Sequence, residues 1–496
     1  MPRGKAASSG RTSRAGVAQA GSRKAGSRRA SAARDGSVRG AGRPFAAIEE
    51  TPARFMTPRI VYIVCVGILL AFGLLMVYSA SSITALNQTG DAAYLFKRQL
   101  ASALIGVALA VVIARQDYRL WAFKVLPALW VVVVVLLVAT LALSTATNGA
   151  TRWVSIAGIS LQPSELAKAV VILTGANILQ RYVEDSELDF KQAIKLALVG
   201  VGAPLVLILA QPDKGTAAIT AAAIFVMLYL AGFPRRLLGG VLLAGVVLMA
   251  AISLRDDYSR QRILTMFDPW EDPYGTGYQL IQGFYAFGSG GLLGVGIGFS
   301  KQKYGFLPYA YNDFIFAVIG EECGLLGTLG VVAGFAVIAV AGFRIARYAP
   351  DLAGKLIAAG CTSLIVFQFL VNACGVLGMI PLSGKPLPFI SYGGSSVISC
   401  LILAGLTVSV SRSSRLPETV HDRRRSQMRV AAGDGVAEAG RASGTGSRPR
   451  GASGAEGLRV LDGGRATSAQ GGRRRIDLGP SASERLRGRG HDSGRR

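Results

Sequence analysis

Asp313 is the residue best suited to acid–base chemistry, because it stands directly before the apolar run FIFAVIG. A carboxylate at such a boundary can accept a proton from a substrate hydroxyl. On a helix at about 100° per residue, Gly320, Gly324 and Gly327 lie within about 40° of the Asp313 direction. This small-residue face predicts close packing against another helix, with Asp313 directed into the protein. The alternative is that Asp313 caps the helix that follows.

Glu165 and Lys168 are ionisable residues in an apolar stretch that begins after Pro163. Their spacing of three residues puts both on one helical face, where they could pair with each other. Ionisable groups inside a membrane are costly and usually face a cavity or a partner, so substrate binding is the other interpretation. Arg152 and Lys168 together would suit a pyrophosphate.

Asp213 lies in the short segment QPDKGT between two apolar runs. Pro212 and Gly215 are typical of a turn. Charged groups cost little at a membrane boundary, so the sequence favours a solvated turn. A substrate-binding role for Asp213 is the alternative.

Arg260 and Arg262 stand in the polar stretch that follows Leu254, where they could bind phosphate through charge-assisted hydrogen bonds. The glycine-rich run from Gly288 to Gly298 lacks the Lys-Ser/Thr ending of a P-loop, which excludes that kind of nucleotide site. We predict instead that these glycines let a short helix pack closely against other backbones.

Lys385 and Ser391 lie in the segment 378–396, in which Pro381, Pro386 and Pro388 prevent a regular helix. Lys385 could meet phosphate, and Ser391 with the neighbouring glycine amides could donate hydrogen bonds to an anion. Backbone turning alone is an equally supported interpretation of this segment.

The elements that must position these residues are membrane spans. The chain has 496 residues, of which 51% are hydrophobic and 17% charged. Apolar runs such as IVYIVCVGILLAFGLLMVYSA are too long and too numerous for a soluble enzyme. Hydropathy predicts an all-α polytopic membrane protein with ten transmembrane helices, at residues 60–79, 99–114, 122–142, 164–181, 192–209, 216–232, 237–254, 313–343, 355–377 and 397–411.

Basic residues set the predicted orientation. Arg and Lys gather in alternate short loops and in both tails, which places these loops and both termini in the cytoplasm. The opposite side then carries one large extracytoplasmic loop, residues 255–312, between spans 7 and 8. We therefore predict a ten-span domain over residues 57–411.

Both tails are strongly basic. Residues 1–56 hold 12 Lys and Arg against 3 Asp and Glu, and residues 412–496 hold 19 against 9. Their low apolar content predicts disorder, with contact to anionic membrane lipids worth about 1 kcal/mol per basic residue near the surface. The tails lack interleaved aromatics, so nucleic-acid binding is not expected. A scaffold role, in which the tails recruit partner proteins, is compatible with this interpretation.

Histidine and cysteine usage excludes two classes of site. His421 and His491 are the only histidines and both lie in the C-terminal tail, so the membrane domain has no Ser-His-Asp triad and no histidine-ligated metal. The five cysteines are an odd number without metal-ligand spacing. No metal site is assigned, and Asp, Glu, Lys, Arg or Tyr must carry any chemistry.

Several long strings, in this order, resemble the SEDS family (shape, elongation, division and sporulation): RW followed by QPSELAK, then QPDKGTA, DPWEDPYGTGYQ, NDFIFAVIGEE and PFISYGGSS. The resemblance covers roughly residues 57–411. Co-occurrence of these strings is far more specific than any single motif. The DPWEDPYGTGYQ string is more similar to the division branch of the family than to the elongation branch.

The resemblance implies a fold with an outward-opening cavity and an essential aspartate, here Asp313. Family members often read Pro-Glu-x-His-Thr-Asp at this point, whereas this chain reads Pro308-Tyr309-Ala310-Tyr311-Asn312-Asp313. The Glu and His of that pattern are absent, so supporting roles given to them do not carry over. One carboxylate must carry the base role.

The implied activity is polymerisation of lipid II into growing peptidoglycan strands during septal cell-wall synthesis, with release of undecaprenyl pyrophosphate. Asp313 would deprotonate the 4-hydroxyl of one sugar. The candidates to hold pyrophosphate, assisted by a divalent cation such as Mg²⁺ or Mn²⁺, are Arg152, Lys168, Arg260, Arg262 and Lys385. The implied partners are a class B penicillin-binding protein and other divisome proteins at the bacterial plasma membrane. A lipid II flippase is the alternative, which the gathering of ionisable residues at the outer ends of spans disfavours.

Overall fold

The computed structural model of the protein describes residues 53–143, 154–156 and 159–414. Side chains are described for residues 56–142 and 161–414. The predicted disordered tails, 1–56 and 412–496, lie almost entirely outside the described residues, and so does Arg152. The predictions made for them therefore stay predictions.

The described part of the chain is a helical protein with one small β-hairpin. Three π-helical turns, Leu120–Lys124, Gln180–Glu184 and Leu198–Gly202, adjoin or join helices. The α-helices are α1 (Ala53–Thr89), α2 (Tyr94–Arg115), α3 (Leu126–Leu143), α4 (Pro163–Leu179), α5 (Phe190–Ala197), α6 (Ala203–Ala210), α7 (Lys214–Leu230), α8 (Arg235–Arg255), α9 (Asp257–Phe267), α10 (Tyr278–Gly290), α11 (Ile315–Arg347), α12 (Leu352–Val376) and α13 (Gly394–Arg412).

Seven helical segments in the described part are long and apolar enough to cross a membrane. They are Met56–Thr89, Tyr94–Arg115, Phe190–Ala210, Arg235–Arg255, Ile315–Arg347, Leu352–Val376 and Gly394–Arg412. Two shorter apolar helices, Leu126–Ala142 and Lys214–Leu230, fall on two further predicted spans. The prediction of a helical polytopic membrane protein is confirmed at this level.

The hairpin consists of β1 (Val154–Ile156) and β2 (Ile159–Leu161), which pair antiparallel with Val154 opposite Leu161. Hydropathy did not predict this hairpin, because it detects membrane spans and not short strands in loops; the helical fold class is unchanged. Pro163 occupies the first turn of α4 directly after it, where its missing amide hydrogen costs nothing. The Gln162 amide donates to Ser395 Oγ at 3.1 Å, which connects the start of α4 to the start of α13.

Close helix packing in the centre depends on small residues. A Cβ placed on Gly405 of α13 would lie 2.8 Å from the Ala110 carbonyl oxygen of α2. One placed on Gly360 of α12 would lie 2.9 Å from Ile172 of α4. Glycine at these points lets the helix backbones approach, as in other membrane bundles.

Helix α11 is not regular. Gly324 has φ 63° and ψ −162°, which kinks the helix after its first turns. The prediction that Gly320, Gly324 and Gly327 share one helical face assumed a regular helix. It is therefore wrong beyond Gly324. A Cβ on Gly324 would lie 2.6 Å from the Leu292 carbonyl oxygen, because the glycine-rich run packs directly on the kink. The prediction that this run packs closely on another backbone is confirmed.

Candidate active site

Asp313 lies at the end of the segment between α10 and α11. The helix begins at Ile315, with Phe314 in the capping position, so Asp313 stands one residue outside it. Asp313 is half-buried. A Cβ built on Gly384 would lie 3.4 Å from Asp313 Oδ2 and 3.8 Å from Arg262 Nη1. The structure therefore brings the carboxylate of Asp313 and the guanidinium of Arg262 to one small space beside Gly384.

Asn372 holds the two segments that meet at this space. Its Nδ2 donates to the Asp313 carbonyl at 2.8 Å and to the Lys385 carbonyl at 2.7 Å. Asn372 is buried on α12, and Gln368 lies four residues earlier on the same face. Sequence analysis missed both residues. Their signal was two amide side chains, one helical turn apart, in a mainly apolar span.

Asp213 is buried, so its interpretation as a solvated turn is wrong. Its exposed fraction is 1%, and Lys385 Nζ lies 2.7 Å from Oδ1 and 2.9 Å from Oδ2. Gln162, Ser164 and Thr216 also donate to Oδ2, at 2.8–3.0 Å. The ammonium of Lys385 is thus committed to a buried ion pair, which anchors the segment next to Gly384.

Glu165 and Lys168 do pair with each other. Lys168 Nζ lies 2.8 Å from Glu165 Oε2 and 2.6 Å from Gln368 Oε1, and both charged side chains are 1% exposed. Gln368 in turn donates to the Pro386 carbonyl at 2.9 Å. Through Gln368, this second buried pair therefore supports the segment 378–393 that the Asp213–Lys385 pair also anchors.

Arg262, which shares the space beside Gly384 with Asp313, also lines a cleft. Its guanidinium lies 4.4 Å from the centre of the Tyr258 ring and donates to the Leu382 carbonyl at 2.6 Å. The cleft has a volume of about 170 Å³ and mixes amide, hydroxyl and apolar groups. Its lining includes Gln261, Thr265, Met266, Thr276, Gln279 and Leu280.

Arg260 and Ser391 occupy different surroundings from Arg262. Arg260 pairs with Asp257 at 3.2 Å on the surface, where both side chains are more than half exposed. Ser391 is buried, and its Oγ accepts the Leu387 amide at 2.8 Å. That bond is a local turn contact, so the structure favours the backbone-turning interpretation of Ser391.

Tyr311, which stands two residues before Asp313 in the chain, contacts Tyr392. The Tyr311 carbonyl accepts the Tyr392 amide at 2.9 Å, and the two rings meet edge to face at 5.7 Å. Burial raises the pKa of both phenols above its ordinary value. Both phenols therefore stay protonated at neutral pH.

Residues 59–416 match the FtsW, RodA and SpoVE family, described as cell cycle proteins. The chain belongs to this family. A "Probable peptidoglycan glycosyltransferase FtsW" of Geobacter metallireducens is 41% identical over 345 residues, which cover 69% of this chain and 92% of that protein.

Solved structures of the FtsW/RodA/SpoVE family share the fold. One, from a study of how a peptidoglycan synthase complex coordinates polymerisation and crosslinking, is 29% identical with a TM-score of 0.57, covering 71% of this chain and 96% of its own. The rod shape determining protein RodA of Thermus thermophilus is 26% identical with a TM-score of 0.52, over 71% and 96% of the two chains. The resemblance read from the five strings is therefore confirmed.

In this family member, the described residues contain no group of three or more His, Cys, Asp and Glu side chains that could hold a metal ion. Within 4 Å of a Cβ built on Gly384, the described part of the chain places one carboxylate, that of Asp313. Mg²⁺ is commonly held by one or two carboxylates together with substrate phosphates and waters. The side chains present would thus fit a cation that arrives with a phosphate-bearing substrate.

Proposed function

We propose that this protein is a peptidoglycan glycosyltransferase that polymerises lipid II into glycan strands during cell division, with Asp313 as its catalytic base. The observation that carries the proposal is the half-buried Asp313 carboxylate at the junction of α11, the Gly384 segment and Arg262. Family membership and FtsW-named relatives support the reaction class.

The reaction follows from one proton transfer and one displacement. Asp313 accepts the proton of the 4-hydroxyl of a lipid II sugar, and that oxygen forms a bond to the anomeric carbon of the lipid-linked strand. The bond from this carbon to the pyrophosphate oxygen breaks, and undecaprenyl pyrophosphate leaves with the electron pair, so that the anomeric configuration is inverted. The proton then passes from Asp313 to solvent.

The geometry redistributes the roles of the basic residues. Arg262, which lines the cleft and lies with Asp313 beside Gly384, is placed to stabilise the negative charge of the leaving pyrophosphate, with Arg152 and Arg260 as further candidates. Lys168 and Lys385 are each committed to a buried carboxylate, Glu165 or Asp213. We assign these two pairs, with Ser391, to shaping the outer segment. A Mg²⁺ or Mn²⁺ ion, if used, would supply further positive charge to the phosphates.

The proposed topology has ten spans. The π-helical turns lengthen α3 and α4 to 120–143 and 163–184, and α7 adds a third short span, which together with the seven long segments makes ten. Both termini then lie in the cytoplasm, and the loop 255–312, which contains α9 and α10, lies outside. Basic residues in alternate loops support this orientation.

The proposed partner is a class B penicillin-binding protein. Glycan strands need crosslinking, and the sequence shows no signature of a nucleophile and base for acyl transfer. The solved relative comes from a complex that joins polymerisation and crosslinking. Other divisome proteins at the septum complete the proposal.

The test is lipid II polymerisation by the purified full-length chain with its cognate partner. Asp313→Asn and Asp313→Ala should each lower the rate by at least about 100-fold, within the range for loss of a general base. The matched control is Asp91→Asn, because Asp91 is an exposed outer carboxylate paired with Lys97 at 2.8 Å. Thermal melting checks folding.

Two outcomes would reject the proposal in different ways. If both Asp313 variants polymerise at the control rate, the base assignment is wrong. If the wild type makes no glycan while proteoliposomes move lipid II across the bilayer, the protein is a flippase.

A further inference from the structure

Glu321 and Glu322 are buried carboxylates to which the proposed reaction gives no role. Each residue is 1% exposed, near the start of α11. They follow Asp313 by roughly two and a half helical turns. Burying two carboxylates costs several kcal/mol per ion unless other groups compensate, so their partners show what the arrangement does.

Glu322 joins three elements. Ser79 of α1 donates its hydroxyl to both carboxylate oxygens, at 2.7 and 2.8 Å. Lys303 Nζ lies 3.7 Å from Oε1, and the Lys303 and Glu322 side chains are 4% and 0% exposed. The Ser300 amide also donates to Oε1, at 3.4 Å. Glu322 thus connects α1, α11 and the outer segment that follows the glycine-rich run.

Glu321 holds the same outer segment through neutral donors. The Ser300 hydroxyl donates to it, and so do the amides of Lys301 and Gln302, at 2.9 and 3.4 Å. The Lys303 ammonium donates to the Gly298 carbonyl. We call Ser79, Ser300, Lys303, Glu321 and Glu322 the carboxylate clamp.

The clamp closes the stretch of chain that carries Asp313. Lys303 and Glu322 mark the two ends of residues 303–322, and Asp313 lies in the middle of that stretch. On the other side of the clamp, the Val295 and Gly296 amides donate to the carbonyls of Glu321 and Glu322, at 2.9 and 3.0 Å. The two ends of the closed stretch are therefore held together by the ion pair, and the Glu321–Glu322 end is also held by backbone hydrogen bonds.

We propose that the carboxylate clamp is a positioning device for the catalytic base, an inference that rests on the proposed role of Asp313. Buried ion pairs are weak evidence for stability but can select one arrangement of the chain. A displacement of about 1 Å at a reacting group can lower a rate about 100-fold. The clamp holds Asp313 at the Gly384 junction without touching substrate.

The test separates positioning from stability by comparing Lys303→Met, Glu322→Gln and the double variant Lys303→Met/Glu322→Gln. Each single variant leaves a buried charge without its ion-pair partner, so its melting temperature should fall. The double variant removes both charges, so its melting temperature should return towards the wild-type value.

The rate should not recover with stability. In the double variant, kcat for lipid II polymerisation should stay about 10-fold below wild type, with KM within about twofold. Amide hydrogen exchange over residues 304–314 should be faster than in wild type, while exchange in α12 is unchanged. Arg119→Met is the matched control, because it breaks the Arg119–Asp351 pair of 2.8 Å and leaves residues 303–322 intact.

Different results would contradict the positioning role of the clamp and the base role of Asp313. Normal kcat and normal exchange over residues 304–314 in the double variant would overturn the clamp while Asp313→Asn stays inactive. A kcat that simply follows melting temperature across all variants would also overturn it, because that result is a stability effect. If Asp313→Asn is active, the base assignment fails, and the exchange measurement still decides whether the clamp orders this segment.

Discussion

Lys385 illustrates how a charged residue in a membrane protein can be structural. Its ammonium is 2.7 Å from Asp213 Oδ1, and both side chains are nearly fully buried. Lys385→Met should destabilise the protein by about 3–5 kcal/mol, because it leaves the Asp213 charge buried and unpaired. Chemical denaturation of the purified protein, followed by tryptophan fluorescence, measures the change.

Two further variants give this prediction its controls. The double variant Asp213→Asn/Lys385→Met should recover much of the lost stability, because no lone charge remains. Arg260→Met, at the exposed pair with Asp257, should change stability by less than about 1 kcal/mol. Equal losses in Lys385→Met and Arg260→Met would contradict the buried-pair argument.

The sequence was informative about which residues matter here and misleading about their surroundings. Asp213 and Lys385 are separated by 172 residues, and hydropathy places both in connections between predicted spans. No local pattern indicates that such distant residues form a pair. Glu165 and Lys168 were predictable as a pair, because their spacing of three residues brings them together on any helix.

Helix α11 depends on glycine at its kink. Gly324 has φ 63°, and a Cβ there would lie 2.6 Å from the Leu292 carbonyl oxygen. Gly324→Ala should therefore destabilise the protein by about 1–3 kcal/mol through backbone strain, with added loss from the clash. Gly330→Ala, in the same helix with nothing within 4 Å of the new Cβ, should be neutral or stabilising by up to about 1 kcal/mol. Denaturation curves of the two variants, measured side by side, check the prediction, and similar values would contradict it.

The kink also explains why one sequence argument failed. A glycine-rich face at constant rotation predicts a straight helix packed on a neighbour, whereas Gly324 breaks the rotation. The packing partner proved to be the glycine-rich run, whose Gly291, Gly294 and Gly296 also have positive φ. Glycine content predicted close packing, but which glycine would carry the kink depends on tertiary contacts.

The stability contributed by the contact between α7 and the start of α9 should depend on pH. Lys214 donates to Asp256 Oδ2 at 2.9 Å, and this bond, with that from Ser259, holds the pKa of Asp256 below its ordinary value. A depressed pKa in the folded state stabilises the protein at pH values above the unfolded pKa of about 3.9, and this contribution disappears as pH falls through the folded pKa.

Asp256→Asn should therefore lower the melting temperature at pH ~6, and the difference from wild type should shrink towards pH ~3. Asp257→Asn, on the exposed neighbour, serves as control, and a difference that is constant with pH would refute the linkage.

Burial is distributed very unevenly over the membrane helices of the whole molecule. In the most apolar window of α8, 6% of the residues are buried inside the protein, against 83% for α13. Hydropathy predicted both as spans and could not rank them, because lipid and protein interior are equally apolar surroundings. The central position of α12 and α13 follows from their small and polar residues, which approach other helices and hydrogen-bond with them.

The basic tails should be separable from catalysis. The family match spans residues 59–416, and the contacts that build the junction at Asp313 lie within the described part of the chain. We expect a chain shortened to residues 53–414 to polymerise lipid II within about twofold of the full-length rate, because no tail residue enters the proposed reaction. Binding of the full-length protein in detergent to anionic vesicles should exceed that of the shortened chain, since each basic residue near such a surface contributes about 1 kcal/mol. Added salt should remove this difference. A shortened chain that is folded yet inactive would contradict the separation and assign the tails a part in catalysis or in holding the partner.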